Sequence, residues 1–584
     1  MSTKTPLHDI IVTELGGRIG AGVCGSILAQ LGATVIVPED GRGGKAEHRT
    51  QLIAGKLSVR LDARAASDVE LLEGLVARSD VLIVSSDVDT QVPSYARWLV
   101  DKKRVVCNVT AFGDSGPLSG EPYSEAQVQA LSGILDTTGN AGAAPTPIQL
   151  PLVEFMTGIY AAVACQAALR VLRRGDGGQL IDMALYDSAF AAMATFLPKL
   201  LSGAGGDVGR LGNRHALAAP WNIYRAEDGW LLVCAVSNDQ WRRITGVIDR
   251  PELARDPRFL HVADRIQRVD EVDAAVQQWV GRNTIVRCLG VLAAAGIPSG
   301  PVIPVDCYPH EANLDHRGMI RTLRDPVSGG TVFVPASPLR MSVSPGISPS
   351  SIPAPDADRS AVTRLASQSN ARMPTTRGSG QAPALPLACV RVIEIGHYTT
   401  APLSARHLAN LGADVIKVEP PTGEESRSWS PTKNGIGYFF ALNNSDKRSL
   451  VLNLETDEGR AILRELIVRA DVLIENLKPG ALAKRGFSAD ELLRLNPRLV
   501  YCAISGFGAD SAYPGRAAFD TVIQAMSGIM DLTRAGEVPV KTGISCADIV
   551  GAQMAVAAVL AALEVRDRLG IGQAIDLSMQ DCTA

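Results

Sequence analysis

The feature that most constrains this 584-residue chain is a repeat in which four motifs return, in the same order, about 390 positions later. The four pairs are Leu31–Val37 with Leu411–Lys417, Asp80–Ile83 with Asp471–Ile474, Gln129–Asp136 with Gln524–Asp531, and Gly178–Met183 with Gly572–Leu577. Solenoid repeats are about 20–50 residues long. The spacing therefore indicates duplication of a whole domain.

The repeat divides the chain into four segments. We expect a large domain at 7–209 and a small α+β domain at 210–342, which together form copy 1. Residues 343–387 are rich in Pro, Ser, Ala and Gly and are predicted to be a flexible linker. Copy 2, at 388–584, stops just past the element that matches Asp187, where copy 1 continues for about 150 residues. Copy 2 therefore looks truncated, either because it evolved so or because the chain is a fragment.

Short apolar runs alternate with helical stretches at the start of both copies. Ile10–Glu14 and Thr34–Val37 flank a helical stretch in copy 1, and Val390–Glu394 and Val415–Val418 do so in copy 2. Strands that alternate with helices predict an α/β fold with a Rossmann-like parallel sheet in each large domain. In the small domain, Asn222–Val236 contains a glycine between two apolar runs and is predicted to be a hairpin.

Composition argues against several classes of protein. The chain has 57 Lys and Arg against 61 Asp and Glu, which gives no electrostatic reason to expect nucleic acid or membrane as the main partner. Its ten cysteines contain no Cys-x-x-Cys and its eight histidines no His-Glu-x-x-His, so we expect neither disulfides nor a metal site. The N-terminus lacks the apolar segment of a secretion signal. A cytoplasmic enzyme is the expectation.

A glycine-rich segment in copy 1 matches the dinucleotide-binding pattern. Gly20-Ala-Gly-Val-Cys-Gly25 follows a strand and opens a helix, and the acidic residues Glu39 and Asp40 come about 20 residues later. Copy 2 has Thr400-Ala-Pro-Leu-Ser-Ala at the same place, without glycine. Because the fold tolerates their loss, we interpret the glycines as packing residues and do not predict NAD binding.

Copy 2 resembles the class III CoA-transferases, the CaiB/BaiF family. The motifs that carry this resemblance are Val390–Glu394, Leu411–Pro420, Asn444–Leu454, Ala470–Gly480, Asn496–Tyr501, Ser505–Gly508, Phe519–Gly528 and Gly572–Asp581. Copy 1 is similar to the same family, and its small domain carries Leu211–His215, Pro251–Phe259 and Gly296–Val302. The resemblance covers nearly everything except the linker.

This resemblance implies a Rossmann-like large domain, a small α+β domain and dimers interlocked like chain links. It also implies transfer of CoA from a thioester to a carboxylic acid, through an aspartate that matches Asp548 in Ile544–Gly551. Asp548 opens an apolar helix, whose N-terminus we expect to help keep the carboxylate ionised. Without the resemblance, an ordinary helix-capping aspartate would be the simpler interpretation.

CoA is expected as part of the substrate and not as a permanently bound cofactor. Its phosphates need cations, and the loops of copy 2 offer Arg427, Lys447, Arg448, Lys478, Lys484 and Arg485. The resemblance places CoA contacts at Thr399, Thr400, Pro420, Leu452, Asn453, Leu454, Glu455, Asn476, Leu477, Lys478, Lys484, Ala517, Ala518, Phe519 and Asp520. His397 either orients groups near the thioester or is structural.

Copy 1 departs from the pattern at the nucleophile. Glu154 stands where copy 2 has Asp548, and the extra methylene displaces a carboxylate by about 1.5 Å, enough to cost about 100-fold in rate. Val84-Ser85-Ser86 replaces Glu475-Asn476-Leu477. We therefore predict that copy 1 is a degenerate scaffold, and that its small domain closes over Asp548 in an intrachain pseudo-dimer. Further homo-oligomerisation stays open.

Two other functions are considered. One is a catalytically weak pseudoenzyme subunit, suggested by Glu154 and the shortened copy 2. The other is an isomerase similar to α-methylacyl-CoA racemase, which would need a histidine where this chain has Phe519 and, in copy 1, Ser124. The identities of the acyl donor and the acid acceptor are not predicted.

Overall fold

The computed structural model describes residues 5–39, 49–87, 103–197, 209–368, 385–429 and 431–584. Copy 1 has a parallel six-stranded sheet whose strands, in chain order, are Ile11–Leu15, Thr34–Glu39, Leu57–Arg60, Val81–Val84, Val105–Thr110 and Leu180–Ala184. Across the sheet the order is third, second, first, fourth, fifth, sixth. Its helices are Ile19–Gln30, Arg49–Ile53, Ala66–Arg78, Glu125–Ser132, Ile134–Thr137, Leu152–Arg173 and Leu185–Ala192, followed by the 3₁₀ turn Met193–Thr195.

Copy 2 repeats this sheet in the same order, with the strands Arg391–Ile395, Asp414–Glu419, Lys447–Val451, Val472–Glu475, Val500–Ser505 and Gln573–Ser578. Its helices are Thr400–Asn410, Tyr438–Asn444, Asp457–Val468, Ala489–Leu495, Asp520–Met526, Ile529–Leu532, Cys546–Leu569 and Met579–Thr583, with 3₁₀ turns Glu425–Ser428 and Ala483–Arg485. Short strand pairs join Thr432–Lys433 to Ile436–Gly437 and Arg534–Ala535 to Val538–Pro539. The Rossmann-like α/β prediction is confirmed in both copies.

The small domain contains the predicted hairpin, formed by Trp221–Ala226 and Gly229–Cys234 and extended by Ser299–Pro301. A second hairpin joins Ile320–Arg324 to Thr331–Pro335. The helices are Asn238–Val247, Val262–Gln267, Val269–Val280, Ile285–Ala294 and Ala312–His316, with 3₁₀ turns Pro251–Ala254, Pro257–Phe259 and Val305–His310. Trp241 and Val276 lie in a separate apolar core that this domain forms for itself.

Two long helices, Leu152–Arg173 and Cys546–Leu569, occupy equivalent positions in the two copies and pack against each other. Both are long and apolar enough to cross a membrane, but their most apolar windows are 83% and 94% buried inside the protein. Arg170 of the first helix pairs with Asp567 of the second at 2.8 Å. They are therefore core helices that join the two copies.

The prediction of a flexible linker is wrong for residues 343–368. The chain first adds Arg340–Met341 to the copy 2 sheet as an antiparallel strand and then returns to copy 1. There Asp358 accepts a hydrogen bond from the Ser58 backbone N–H (2.9 Å), and the helix Arg359–Ser367 buries Val362 against Leu75. The segment is ordered because it bonds to both copies, through Ser344 to Gln573 (3.1 Å) and through Asp358 to Ser58, and because its helix covers apolar side chains. Residues 369–384 of the predicted linker lie outside the described residues.

The small domain of copy 1 lies on the large domain of copy 2. The Ile303 N–H donates to the Ala525 carbonyl oxygen (2.9 Å), and Arg516 donates to the Ser299 carbonyl oxygen (2.6 Å). The Arg317 guanidinium reaches Asp581 at 2.6 Å, and both side chains are fully buried. These contacts bring copy 1 residues next to the carboxyl ends of the copy 2 strands.

Candidate active site

The strand order of the copy 2 sheet reverses between the first and fourth strands, and we call the space outside the carboxyl ends of these two strands the crevice. His397 follows the first strand and Asn476 follows the fourth. The Asn476 side chain accepts from the His397 N–H (2.8 Å) and donates to the His397 carbonyl oxygen (2.9 Å), which holds the two loops together. Sheets of this type bind their ligands at such a reversal point. The fold alone therefore makes this crevice the candidate ligand-binding site.

Asp548 lies in the first turn of the Cys546–Leu569 helix and faces the beginning of the Thr400–Asn410 helix. The Thr400 hydroxyl donates a 2.5 Å hydrogen bond to Asp548 Oδ1. Asp520 Oδ1 accepts from the backbone N–H groups of Ala547 (2.9 Å) and Asp548 (3.3 Å), which would otherwise lack partners at the helix start. Asp548 stays partly exposed. One carboxylate oxygen is thus held while the group remains accessible.

The electrostatic environment of Asp548 differs from the sequence-based expectation. Burial, followed by the negative charge of Asp520, raises the pKa of Asp548 well above its usual value of 3.8, and the Thr400 hydrogen bond opposes this shift. Burial also raises the pKa of Asp520. The predicted benefit of the helix N-terminus is outweighed because two carboxyl groups share one partly desolvated space.

Copy 1 provides one side of the crevice. Trp221 packs against Phe519 with ring centroids 5.4 Å apart, and His215 stacks on Trp221 at 4.5 Å. The Asn213 side chain bridges the Pro539 carbonyl oxygen and the Lys541 N–H, each at 2.8 Å. Residues 213–221 thus cover the segment that leads from Phe519 to Asp548.

The predicted CoA-contact residues fall into groups at the carboxyl ends of the copy 2 strands. Those at the reversal point or beside Asp548 are His397, Thr399, Thr400, Asn476, Leu477, Lys478, Ala517, Ala518, Phe519 and Asp520. Pro420 follows the second strand, and Leu452, Asn453, Leu454 and Glu455 follow the third. Lys478 and Lys484 are exposed and could reach an anion, whereas Arg485 pairs with Glu455.

Three of the predicted phosphate-binding cations are engaged elsewhere. Lys447 is buried and bonds to Glu394 (3.1 Å), while Arg427 holds Glu419 with two 2.6 Å bonds. Arg448 pairs with Asp414 at 2.6 Å. Copy 1 repeats the first arrangement. Its Lys56 bonds to Glu14 (2.7 Å), equivalent to the Lys447–Glu394 pair. These three cations thus have carboxylate partners within the protein, and their role as CoA contacts stays a prediction.

The equivalent site in copy 1 is filled by its own arginine. Arg18 is buried and contacts Glu154 (3.1 Å) and Asp87 (2.6 Å). Glu154 also accepts from the Gly20 N–H at 2.8 Å. Glu125 repeats the capping role of Asp520, accepting from the Glu154 N–H at 2.9 Å. Copy 1 thus keeps the same hydrogen-bonding arrangement around the site, but the charge of its carboxylate, Glu154, is paired with Arg18 of the same copy.

Close packing accounts for the glycine-rich segment. A Cβ at Gly20 would lie 2.9 Å from the Glu154 carbonyl oxygen, and one at Gly25 would lie 1.8 Å from the Glu14 carboxylate. A Cβ at Gly22 would meet Leu52 at 3.0 Å. These contacts support the interpretation of the glycines as packing residues. Asp40 of the same pattern lies outside the described residues.

Several residues at the crevice were missed from sequence. Trp221 and His215 lie over 300 residues before Asp548 and come near it only through the small domain. Tyr398 and Trp429 lie next to residues that were predicted to contact CoA. An aromatic side chain at such a position was the signal that could have identified them. Lys541 is partly buried near Asp520 and had no signal beyond its charge.

Comparisons with known proteins agree with the repeat. The family model described as CoA-transferase family III matches residues 7–359 and 387–584. The chain is 42% identical over 207 residues to the succinate–glutarate CoA-transferase of Agrobacterium fabrum, covering 34% of this chain and 51% of that protein. It is 26% identical over 596 residues to the probable CoA-transferase Rv1866 of Mycobacterium tuberculosis, covering 96% of this chain and 73% of that protein.

The acetyl-CoA:oxalate CoA-transferase of Acetobacter aceti is 40% identical over 195 residues, covering 33% of this chain and 50% of that protein. This chain thus spans about half the length of the first curated relatives. Among solved structures, a CaiB/BaiF family protein from Brucella suis matches with a TM-score of 0.56 and 26% identity, covering 62% of this chain and 99% of that one. Because the family model matches both copies, the chain belongs to CoA-transferase family III.

Proposed function

We propose that this protein moves CoA from an acyl-CoA thioester to a carboxylic acid, with Asp548 as the nucleophile. The observation that carries the proposal is the position of Asp548. It is a partly exposed carboxylate at the strand-reversal crevice, with one oxygen held by Thr400 at 2.5 Å. The names of the relatives supply the reaction class. CoA enters as part of the substrate.

The proposed chemistry proceeds through two exchanges at Asp548. Its carboxylate attacks the thioester carbonyl, forming a mixed anhydride and expelling CoA thiolate. The thiolate then attacks the aspartyl carbonyl, which releases the first acid and leaves an aspartyl-CoA thioester. The acceptor carboxylate attacks this thioester, giving a new anhydride and the thiolate again. Attack of the thiolate on the acyl carbonyl forms the product and restores Asp548, so one difficult exchange becomes several easier steps.

The surroundings of Asp548 suit this cycle. Thr400 holds Oδ1, which leaves Oδ2 to attack, and the backbone bonds to Asp520 fix the start of the helix. Burial, followed by the nearby charge of Asp520, raises the pKa of Asp548 and so makes the ionised carboxylate a stronger nucleophile. Exposed Lys478 and Lys484 are the proposed phosphate contacts of CoA.

We propose a supporting role for copy 1. Its carboxylate, Glu154, is held by Arg18 and the Gly20 N–H, while its small domain covers the Phe519 side of the copy 2 crevice. Phe519 packs against Trp221 in the position where a racemase-like mechanism needs histidine. The arrangement therefore favours one working transferase site in each chain. A cytoplasmic location stays a prediction.

Trapping the covalent intermediate tests the proposal. Protein mixed with a panel of acyl-CoAs is treated with hydroxylamine and digested, and the peptide containing Asp548 is examined by mass spectrometry. We expect conversion of Asp548 to a hydroxamate that depends on acyl-CoA. Asp548→Asn should abolish both the label and CoA exchange. Labelling of Glu154 instead, or exchange by the Asp548→Asn protein, would show that the nucleophile is assigned wrongly.

A further inference from the structure

Four aromatic rings lie next to one another beside the crevice and continue from copy 2 into copy 1; three are partly exposed and the fourth, Trp221, is buried. Trp429 stacks on Tyr398 with centroids 5.1 Å apart and an interplanar angle of 18°. Tyr398 meets Phe519 at 6.4 Å, and Phe519 meets Trp221 at 5.4 Å. We call these four side chains the aromatic wall. Phe519 directly precedes Asp520 and Tyr398 lies two residues before Thr400, so the wall adjoins both partners of Asp548.

The backbone at Tyr398 is in a conformation that tyrosine rarely adopts. Its φ angle is +65°, in the left-handed region, where a bulky side chain is strained. Two acceptors hold it there. The Tyr398 N–H donates to Glu424 (2.8 Å), and its hydroxyl donates to Glu425 (2.7 Å). Strain that the surroundings enforce in this way points to a role for the ring itself at a functional site.

At the Tyr398 end of the wall, the nearby positive charges among the described residues are paired with carboxylates. Glu424 and Glu425 lie at Tyr398, and the nearby cations Lys417 and Arg427 are paired with Glu394 and Glu419. At this end of the wall a second carboxylate on the acyl chain would therefore meet aromatic carbon, acidic side chains and described cations that already have carboxylate partners, whereas Lys541 lies at the other end, near Asp520 and His215. The two relatives named above for succinate, glutarate and oxalate act, by their names, on dicarboxylic acids.

Copy 1 shows that the fold does not require these rings. The residue equivalent to Tyr398 is Arg18, which fills the copy 1 site, and the residue equivalent to Phe519 is Ser124. Both large domains keep the same sheet order with either set of residues. The aromatic wall is therefore a property of the copy 2 site.

Resting on the proposed function, we propose that the acyl group exchanged at Asp548 is planar and apolar, such as an arylacyl group, and stacks on the aromatic wall. A dicarboxylic acyl group would be a poor substrate. A flat apolar group gains contact with the stacked rings and brings no charge to the acidic surroundings.

The experiment compares phenylacetyl-CoA with succinyl-CoA as donors to the intact protein, by hydroxylamine trapping at Asp548 and by kcat/KM for exchange. We expect kcat/KM to be about tenfold or more higher for phenylacetyl-CoA, the scale of one good aromatic contact. Equal use of both donors, preference for succinyl-CoA, or preference for a donor bearing a trimethylammonium group would overturn the inference. If no donor labels Asp548, the proposed function itself fails.

Variants separate stacking from general damage. Tyr398→Leu and Trp429→Leu should each reduce the phenylacetyl-to-succinyl ratio of kcat/KM, whereas Phe333→Leu, at an exposed ring on the small-domain hairpin, should leave this ratio unchanged. The ratio is measured on the folded fraction of each protein. Two separate wall variants are used so that the test still applies if one of them misfolds. An unchanged ratio in either folded wall variant would contradict the inference.

Discussion

The Thr400 hydroxyl lies 2.5 Å from Asp548 Oδ1. This hydrogen bond joins two helices of copy 2: Thr400–Asn410, which follows the first strand, and Cys546–Leu569, which crosses the core. In copy 1 the corresponding pair is Gly20 and Glu154, where a backbone N–H takes the place of the hydroxyl at 2.8 Å. The two copies therefore use different donors to hold an equivalent carboxylate. Only in copy 2 is that carboxylate without a guanidinium partner among the described residues.

Removing the Thr400 hydroxyl should slow exchange. Thr400→Val keeps the shape of the side chain but leaves Asp548 Oδ1 without its donor, and we expect kcat/KM to fall about 10–100-fold, the value of a hydrogen bond to a charged group. Steady-state kinetics measure the loss. Thr400→Ser retains the donor and serves as the control, so equal losses in both variants would show that the hydroxyl is not responsible.

The pH dependence of exchange should follow the interaction of Asp548 with Asp520. Asp548 must be ionised to attack, and its pKa is raised, so activity should fall as pH decreases through that raised pKa, well above 3.8. Asp520→Asn keeps an acceptor for the helix N–H groups but removes the like charge. We expect the acidic limb of the kcat/KM profile to move about one unit to lower pH. A shift to higher pH would contradict this explanation.

The carboxylate of copy 1 should be dispensable for chemistry. Glu154→Gln leaves Arg18 paired with Asp87 at 2.6 Å, so the buried cation keeps a partner. We expect exchange within about twofold of the unaltered protein, because Glu154 lies outside the proposed catalytic cycle. Asp548→Asn, assayed in parallel, should be inactive. Comparable losses in the two variants would mean that both copies act in catalysis.

The contact between small domain and copy 2 should depend on Arg317. Its side chain and that of Asp581 are both fully buried at 2.6 Å, and Asp576 lies 3.0 Å from the same guanidinium. Arg317→Met leaves the buried Asp581 carboxylate without its ion-pair partner, which costs about 3–5 kcal/mol. We expect a clear fall in the temperature of thermal unfolding. Arg258→Ala, at an exposed arginine, is the control and should change it little.

Local sequence patterns were sufficient to predict much of the fold. Alternating apolar strands and helices produced the parallel-sheet prediction, and the observed strand Asp414–Glu419 contains the predicted Val415–Val418. The repeat predicted two copies of one architecture. These features could be predicted because strand and helix periodicity depend on neighbouring residues. The candidate nucleophile, Asp548, came instead from the resemblance to the CaiB/BaiF family.

The partners of charged groups could not be predicted in the same way. Lys447 looked like a phosphate ligand, yet its ammonium is buried against Glu394, 53 residues earlier. Residues 343–368 looked like a linker, yet Asp358 bonds to Ser58, 300 residues away. Charge and composition show what a side chain can bind, whereas the chain path decides which groups come within bonding distance.

The sequence by itself determined the duplicated α/β architecture and placed Asp548 at the start of an apolar helix, since both follow from short-range patterns. Only the tertiary structure decided that Arg18 fills the copy 1 site, that burial and Asp520 raise the pKa of Asp548, and that Trp221 packs on Phe519. Each of these depends on distances of a few ångströms between residues far apart in sequence. Burial and proximity then set how strongly such groups interact.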